Sequence, residues 1–200
     1  MQTITFVGHG CGAITTQAYA AITPNTNPNG IQVRYVVGNP SHMVYFTKDR
    51  PSTTNSKATT LNSTCPDYDQ FFYGLTDVYI PYDNPKISRP SALFKDYVSR
   101  DVQYLVSLDD DGGGDQTCEA RAQGGKARKN RTLSYWKYIH LLAGDSTSSV
   151  QSYPGNFDSM KSRATFKGNT IKHTLSQISN IGHSAAAVLG SSQGRRAVFG

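Results

Sequence analysis

The residues of this chain that could perform chemistry lie in three turns, each of which follows a strand-like segment. Gly-His-Gly-Cys-Gly occupies residues 8–12 and precedes a helix-like sequence. Three consecutive aspartates stand at residues 109–111, and His183 stands near the C-terminus. In acyl transfer an imidazole takes the proton of a nucleophile while a carboxylate orients the imidazole. The three turns are therefore the candidates for an active site.

The first turn has the pattern small-x-nucleophile-x-small between a strand and a helix, which is the layout of a nucleophile elbow. Such a turn needs glycines because it is strained and brings backbone against backbone. Its central position, residue 10, holds glycine, which has no nucleophilic atom. Cys11 is the alternative nucleophile, since a thiolate at a helix N-terminus is activated. If Cys11 were the central residue of the turn, His9 would stand at a position that needs a small residue, so Gly10 matches the central position better.

The elements that must position these turns alternate between strands and helices. Residues 2–7 alternate polar with apolar and predict a strand, and a helix follows from Ala13 to about Ala21. A strand at 31–38 completes a βαβ unit with parallel strands and a right-handed crossover. Further strands are predicted at 101–108 and 174–178, and further helices at 126–142 and 185–192. The pattern predicts an α/β fold, with a parallel sheet flanked by helices.

The segment from 39 to 100 differs from the rest of the chain in composition. It contains most of the prolines and many of the aromatic residues, and its part from 50 to 64 is rich in serine and threonine. We expect one domain over residues 1–200, with 39–100 as an irregular, lid-like insert within it. Residues 24–30 and 144–172 are predicted to be loops, because they contain chain breakers or lack periodicity.

The charge balance favours acidic partners or nucleic acid, with a net charge of +6 and a pI of about 9.2. The one dense basic run, at 126–131, contains two lysines and two arginines. We interpret it as a solvated helix face, because no nucleic-acid-binding motif accompanies it. No apolar run is long enough to span a bilayer. The sequence therefore predicts neither a nucleic-acid partner nor a membrane.

The three cysteines, Cys11, Cys65 and Cys118, permit one disulfide and one free thiol. They form no Cys-x-x-Cys pair, and no cysteine–histidine cluster has the spacing of metal ligands. The sequence therefore predicts no metal and no cofactor.

Several segments of the chain together resemble one known family. Besides the elbow with Gln17-Ala-Tyr19 and the turn Gly182-His-Ser184, they are Arg34-Tyr-Val-Val-Gly-Asn-Pro-Ser41, Cys65-Pro-Asp-Tyr-Asp69, Tyr73-Gly-Leu75, Arg100-Asp-Val-Gln-Tyr-Leu105, Cys118-Glu-Ala120, Gln123-Gly124 and Ser192-Gln-Gly194. The chain is similar to the C-terminal two-thirds of α/β-hydrolase-fold proteins of the esterase or serine-hydrolase type, as found in fungi and similar microbes. The elbow and the Gly-His-Ser turn are the most specific parts of the resemblance.

The resemblance implies a role for each of the three turns. Gly10 matches the nucleophile position, Asp110 the triad acid and His183 the base, in the chain order of that fold. Asp109 and Asp111 remain alternatives for the acid.

The resemblance also implies two features outside the triad. The backbone N–H of Cys11, directly after the nucleophile position, would donate to the oxyanion of an intermediate. Cys65 and Cys118 match a pair that is expected to be bridged, which leaves Cys11 free. The implied ligand is a small acyl or ester compound. Related proteins are expected to be secreted, but no secretory signal opens the chain, so the sequence assigns no compartment.

Two departures from the family pattern shape the expected function. Gly10 supplies no Oγ to attack a carbonyl. The strands that precede the elbow in the family are absent before Met1, so the elbow strand would become an exposed apolar edge. We therefore expect a truncated ester or acyl hydrolase that is catalytically impaired. The alternatives are a non-catalytic ligand-binding or interaction module and, with less support, a basic nucleic-acid-binding protein.

Overall fold

In this computed structural model, the described part of the chain folds around a four-stranded parallel sheet with helices on both faces. The strands lie in the sheet in chain order, β1-β2-β3-β4. The predicted α/β fold class is confirmed. The structure describes residues 2–23, 30–51, 61, 63–78, 90–158, 160 and 164–200.

The observed strands agree closely with the predicted ones. β1 spans Gln2–His9, β2 Ile31–Gly38, β3 Asp101–Ser107 and β4 Thr174–Ile178. The helices are α1 Cys11–Ile22, α2 Pro90–Val98, α3 Cys118–Arg121, α4 Arg128–Ala143, α5 Ser148–Gln151, α6 Ala185–Gly190 and α7 Ser192–Phe199.

The parallel register brings the carboxyl ends of the strands to one edge of the sheet. His9 at the end of β1 lies beside Gly38 at the end of β2, and Gly38 in turn lies beside Leu105 of β3. Ser107 at the end of β3 lies beside Ile178 at the end of β4. The three candidate turns therefore emerge along one edge, where open α/β sheets place their ligand sites.

An aromatic core lies between one face of the sheet and helices α1, α2 and α4. Tyr97 of α2, Tyr104 of β3 and Tyr135 of α4 are buried there. Gln17 of α1 donates to the hydroxyls of Tyr97 and Tyr135, each at 3.1 Å, and accepts from the backbone N–H of Val44 at 2.9 Å. The network pairs polar groups that would otherwise destabilise the core.

A smaller apolar cluster covers the opposite face of the sheet. Val36 of β2 and Leu105 of β3 pack there against Ile178 of β4, Val188 of α6 and Ala197 of α7. Successive side chains of a strand point to opposite faces, so a doubly covered sheet needs apolar residues at neighbouring positions. The apolar runs of β2 and β3 meet that need.

Helix α2 lies in the segment that the sequence predicted to be irregular. Its buried residues, Phe94, Tyr97 and Val98, have helical spacing and contact the main core. The prediction of no regular structure up to residue 100 was wrong here, because the proline- and aromatic-rich composition masked this short amphipathic pattern.

Two other predicted boundaries need correction. The predicted loop at 144–172 contains α5 and a short 3-10 turn at Ala164–Phe166. The predicted helix at 185–192 ends earlier and a second helix follows it, because Ser191 ends α6 and begins α7. The Ser191 hydroxyl accepts from the backbone N–H of Gly194 at 2.9 Å, which caps α7.

The described residues of the predicted insert contribute to the main core as well as to a local cluster. Residues 43–46 are buried in the main core. The guanidinium of Arg50 lies 4.3 Å above the Tyr45 ring and 5.0 Å from the Tyr68 ring, and it pairs with Asp69 at 3.1 Å. A lid-like role for 39–100 stays a prediction. Residues 24–29 of the expected loop and most of the serine- and threonine-rich part lie outside the described residues.

Strand β1 forms an edge of the described sheet and exposes apolar side chains on both faces. Ile4, Phe6 and Val7 are 46, 40 and 41% exposed. The Phe6 ring packs against Tyr19 and Tyr35, with centroid distances of 5.4 and 5.6 Å. None of the described helices is both long and apolar enough to cross a membrane.

Candidate active site

The structure brings the three candidate turns together at the carboxyl edge of the sheet. His183 Nδ1 lies 2.8 Å from Asp110 Oδ2. A Cβ placed on Gly10 would lie 3.2 Å from His183 Nε2. The nucleophile position, the base and the acid proposed from the sequence are thus neighbours in space, with the base between the other two.

The backbone at Gly10 has a conformation that only glycine adopts without strain. Its φ is 58° and its ψ is −119°. The Gly10 N–H donates to the Gly38 carbonyl at 2.9 Å, and its own carbonyl accepts from Ala13 at 3.1 Å as α1 begins. These bonds hold the turn between β1, β2 and α1. A side chain at this position destabilises the folded chain by about 1–3 kcal/mol unless its surroundings compensate for the strain.

Of the two glycines that flank the turn, only one is required by packing. A Cβ on Gly8 would lie 2.3 Å from the carbonyl oxygen of Gly12, which is a backbone clash. A Cβ on Gly12 would meet no atom within 4 Å. The close crossing of β1 under the start of α1 therefore depends on Gly8.

The space at the nucleophile position is open apart from one neighbour. Within 4 Å of the Cβ position of Gly10, the described atoms beyond its chain neighbours are Nε2 and Cε1 of His183, at 3.2 and 3.5 Å. A serine side chain there would reach hydrogen-bonding distance of the imidazole. With glycine, no described atom beyond the chain neighbours fills that position.

Only one of the three consecutive aspartates contacts the histidine. Asp110 is buried, and its Oδ1 accepts from the Gly112 N–H at 3.2 Å while Oδ2 faces His183. Asp109 is exposed, and Asp111 is 81% exposed and pairs with Lys129. The geometry therefore favours Asp110 for the acid position among the alternatives that the sequence left open.

The contacts of His183 assign its hydrogen. An ionised carboxylate only accepts hydrogen bonds, so Nδ1 carries the proton that is shared with Asp110. Nε2 is then an acceptor, and it faces the Gly10 position. The His183 side chain is 35% exposed, so part of the ring is open to solvent. This is the tautomer that a general base requires.

Arg128 is a member of this site that the sequence did not reveal. Its Nη1 lies 2.9 Å from Nδ1 and 2.6 Å from Nε2 of His183, and its Nε lies 3.4 Å from Asp110 Oδ2. An atom this close to both ring nitrogens lies over the face of the imidazole, since the in-plane position between them would collide with Cε1. The Arg128 Nε also donates to the Gly112 carbonyl at 3.1 Å.

The basic run was interpreted as a solvated helix face, and for its two arginines this was wrong. Arg128 and Arg131 are buried. Arg131 donates to the carbonyls of Ser41 at 2.6 Å, Gly125 at 2.7 Å and Asp115 at 2.8 Å. Burial lowers the pKa of Arg131 to about 10. Both arginines pair with oxygen atoms inside the fold, so neither forms part of a surface patch.

Asn39 and His9 complete the surroundings of the histidine. The Asn39 side chain accepts from the Ser107 N–H at 2.8 Å and donates to its hydroxyl at 2.9 Å, which ties the ends of β2 and β3. Asn39 has a φ of 46°, a conformation that asparagine tolerates better than most residues. The His9 ring lies 4.5 Å from the His183 ring, and burial followed by the charge of His183 lowers the pKa of His9.

The predicted oxyanion donor lies at the first position of α1. The backbone N–H of Cys11 has no acceptor within the helix, because the first N–H groups of any helix lack one. The N-terminal end of a helix also carries partial positive charge. The position suits an anionic oxygen beside Gly10, and the role of Cys11 stays a prediction.

The predicted disulfide is confirmed. Cys65 and Cys118 are bonded with a Cα–Cα distance of 5.8 Å, and Cys11 is free and exposed. The same two cysteines and Glu119 form the one described group with potential metal-ligand spacing, but sulfurs bonded to each other are not thiolate ligands. The bond joins the segment before α2 to the first residue of α3.

Two surface cavities of the described structure lie elsewhere. One has a volume of about 450 Å³ and lies beside the end of α4, near Lys137 and Lys167. The other has a volume of about 340 Å³ and lies beside Tyr45 and Pro90. Neither is lined by Gly10, Asp110 or His183. Both cavities are therefore separate from the candidate site.

Comparisons with known proteins give one structural likeness. No family model matches the chain, and no curated protein matches its sequence. The solved structure of poly(aspartic acid) hydrolase-1 from Sphingomonas sp. KT-1 is similar with a TM-score of 0.57 and 17% identity, over 97% of this chain and 54% of that chain. The chain therefore shares the α/β fold of that structure. It spans about half of the length of the protein that it matches.

This likeness supports the fold but not the narrower family. An identity of 17% shows a shared architecture and carries no substrate. The resemblance to fungal and microbial esterases stays a prediction from the elbow and the Gly-His-Ser turn.

Proposed function

We propose that the chain is an α/β-hydrolase-like protein of the ester or acyl hydrolase type in which Gly10 disables the covalent step. The observation that carries the proposal is the alignment of Asp110, His183 and the Gly10 position. The carboxylate lies 2.8 Å from one ring nitrogen, and the other ring nitrogen lies 3.2 Å from the Cβ position of Gly10. An alignment of this kind is what proton transfer from a nucleophile requires.

In a complete site of this design, a serine Oγ at position 10 attacks the acyl carbon while His183 accepts the serine proton. The oxyanion that forms is stabilised by backbone N–H groups, here that of Cys11, and the acyl-enzyme is then hydrolysed. Gly10 lacks the attacking atom, so no acyl-enzyme forms there. Loss of a triad member leaves only the catalysis that binding and the remaining groups provide.

The test restores the missing atom. A fluorophosphonate probe reacts covalently with an activated serine, so we expect stoichiometric labelling of Gly10→Ser at residue 10 and no labelling of the wild-type chain. Gly10→Ala is the matched control, because alanine imposes the same backbone strain without a nucleophile. The double variant Gly10→Ser with His183→Ala tests whether labelling depends on the base.

Two outcomes would contradict the proposal. Folded Gly10→Ser that stays unlabelled would mean that the site is not assembled for acyl transfer. Stoichiometric labelling of the wild-type chain would mean that another residue, with Cys11 as the first candidate, is the nucleophile and that the chain is not impaired. Ligand binding by an unlabelled Gly10→Ser variant would favour the alternative of a non-catalytic binding module.

The substrate class is best tested with both esters and amides. The structural neighbour is named for poly(aspartic acid), an anionic polyamide. The net charge of +6 on this chain would attract such a polymer. We therefore propose a panel that contains small acyl esters and short aspartate oligomers, measured with the wild-type chain and with Gly10→Ser.

A further inference from the structure

We propose that the wild-type chain uses its His183–Asp110 pair to activate a water molecule directly, in the space that Gly10 leaves empty. The chain would then hydrolyse activated acyl esters in one non-covalent pathway instead of through an acyl-enzyme. This inference rests on the proposed function, because it places the substrate at the same site, but it assigns an activity to the chain as it stands.

The Cβ position of Gly10 is open on the side that faces His183. Beyond the glycine and its chain neighbours, the described atoms within 4 Å of the Cβ position belong to the His183 ring alone. A water molecule that donates to Nε2 at about 2.8 Å on the Gly10 side clears the Gly10 Cα only beside this Cβ position, and it would lie too close to a methyl group for both to be present. Water therefore fits where glycine is present and is displaced as soon as position 10 carries a methyl group.

The lone pair of His183 Nε2 is the one that a general base would use. Nδ1 of His183 is engaged by Asp110 at 2.8 Å, which leaves Nε2 as the acceptor. Nη1 of Arg128 lies over the face of the ring, so it does not occupy the in-plane position in front of Nε2. The in-plane side of Nε2 is therefore not taken by Arg128.

The chemistry balances without any further reactant. The water oxygen bonds to the acyl carbon while one water proton moves to His183 Nε2, and the carbonyl electrons form an oxyanion beside the Cys11 N–H. When the oxyanion collapses, the bond to the leaving oxygen breaks and that oxygen receives the proton from His183. The products are a carboxylic acid and an alcohol, and the imidazole returns to its starting state.

The charges around His183 set the expected efficiency. Asp110 stabilises the imidazolium that forms during the step, whereas the Arg128 guanidinium over the ring opposes it. Water is also less well positioned than a covalently held hydroxyl. We therefore expect slow turnover, measurable with an ester that has a good leaving group.

The experiment measures hydrolysis of p-nitrophenyl acetate by the folded wild-type chain and by four variants, each checked by circular dichroism. His183→Gln and Asp110→Asn should lower the rate by roughly 10²-fold, the usual contribution of a general base, or to the buffer rate if that is higher. Gly10→Ala should do the same, because its methyl group displaces the water. Asp109→Asn is the matched control and should leave the rate unchanged, because Asp109 is exposed and makes no contact with His183 among the described residues.

The time course separates the two pathways. The wild-type chain should turn over without an initial burst and without inhibition by a fluorophosphonate, whereas Gly10→Ser should show a burst of one equivalent. Two results would overturn this inference and leave the proposed function intact. One is hydrolysis that persists in His183→Gln or Gly10→Ala. The other is a wild-type chain that does not hydrolyse the ester although Gly10→Ser is labelled. An unlabelled, burst-free Gly10→Ser would instead overturn the proposed function.

Discussion

The buried histidine before β4 makes the stability of the fold depend on pH. His173 Nε2 donates to the Tyr97 carbonyl at 2.8 Å, and its Nδ1 is buried with no hydrogen-bond partner among the described residues. Burial lowers the pKa of His173 from 6.5 to about 4. Protonation in the folded state would place a charge at Nδ1 where nothing accepts its hydrogen, so the neutral ring is the form that the fold stabilises.

The sign and size of the effect follow from the two pKa values. The pKa of His173 is lower in the folded chain than in the unfolded chain, so between about pH 6.5 and pH 4 the unfolded chain binds more protons. Stability is therefore complete above about pH 6.5 and falls as the pH decreases toward 4. The full difference corresponds to about 3 kcal/mol, and about 2 kcal/mol of it is lost by about pH 5.

The assay is urea unfolding, followed by circular dichroism, of the wild-type chain and of His173→Gln. Glutamine keeps an N–H donor for the Tyr97 carbonyl but does not titrate. Between about pH 7.5 and pH 5, the wild-type chain should lose about 2 kcal/mol more unfolding free energy than the variant.

Comparison with the variant isolates this residue from the rest of the chain. His42, whose pKa burial also lowers to about 4, contributes equally to both proteins and cancels in the difference. Equal losses in the two proteins would refute the assignment of a buried neutral ring to His173. The result also bears on the candidate site, because activity profiles below about pH 6 must be corrected for unfolded protein.

Two further predictions concern the frame of the candidate site. Gly8→Ala should abolish folding or lower the free energy of unfolding by more than about 3 kcal/mol, because its Cβ clashes with the backbone of Gly12. Gly12→Ala should leave the free energy of unfolding unchanged or raise it by up to about 1 kcal/mol. Thermal unfolding compares the two variants, and equal effects would refute the dependence of the β1–α1 crossing on Gly8. Arg128→Met should lower the free energy of unfolding by about 3 kcal/mol, because Asp110 loses its buried cationic partner. Lys129→Met is the control and should lower the free energy of unfolding by about 1 kcal/mol or less. Similar losses in the two variants would show that the buried Arg128–Asp110 pair does not determine the effect.

Local pattern was sufficient to predict most of the framework. The bounds of β2 and β4 agree with the alternating and β-branched segments of the sequence, and the turn at residues 8–12 joins β1 to α1 as its glycines indicate. Helix α2 escaped prediction because its apolar spacing lies among prolines and aromatics that are typical of irregular chain. The division between α6 and α7 was not predicted, because it depends on a single capping serine, Ser191.

The composition of the candidate site was predictable only in part, because resemblance supplied residue types but not their surroundings. The Cys65–Cys118 pairing was expected from the resemblance and is present. Arg128 was missed, since a basic residue in a run of basic residues carries no local sign that it will be buried. Asn39 lay within a segment that supported the resemblance, yet its bonds to Ser107 depend on the docking of two strands.

The sequence by itself determined the α/β alternation, the strained turn at Gly10 and the absence of a nucleophilic side chain there, because periodicity, glycine placement and residue identity are local properties. The tertiary structure alone decided that Asp110, and not Asp109 or Asp111, lies against His183, and that Arg128 covers that ring. Those contacts join residues far apart in the chain. They exist only because the parallel register brings the ends of the strands to a single edge of the sheet.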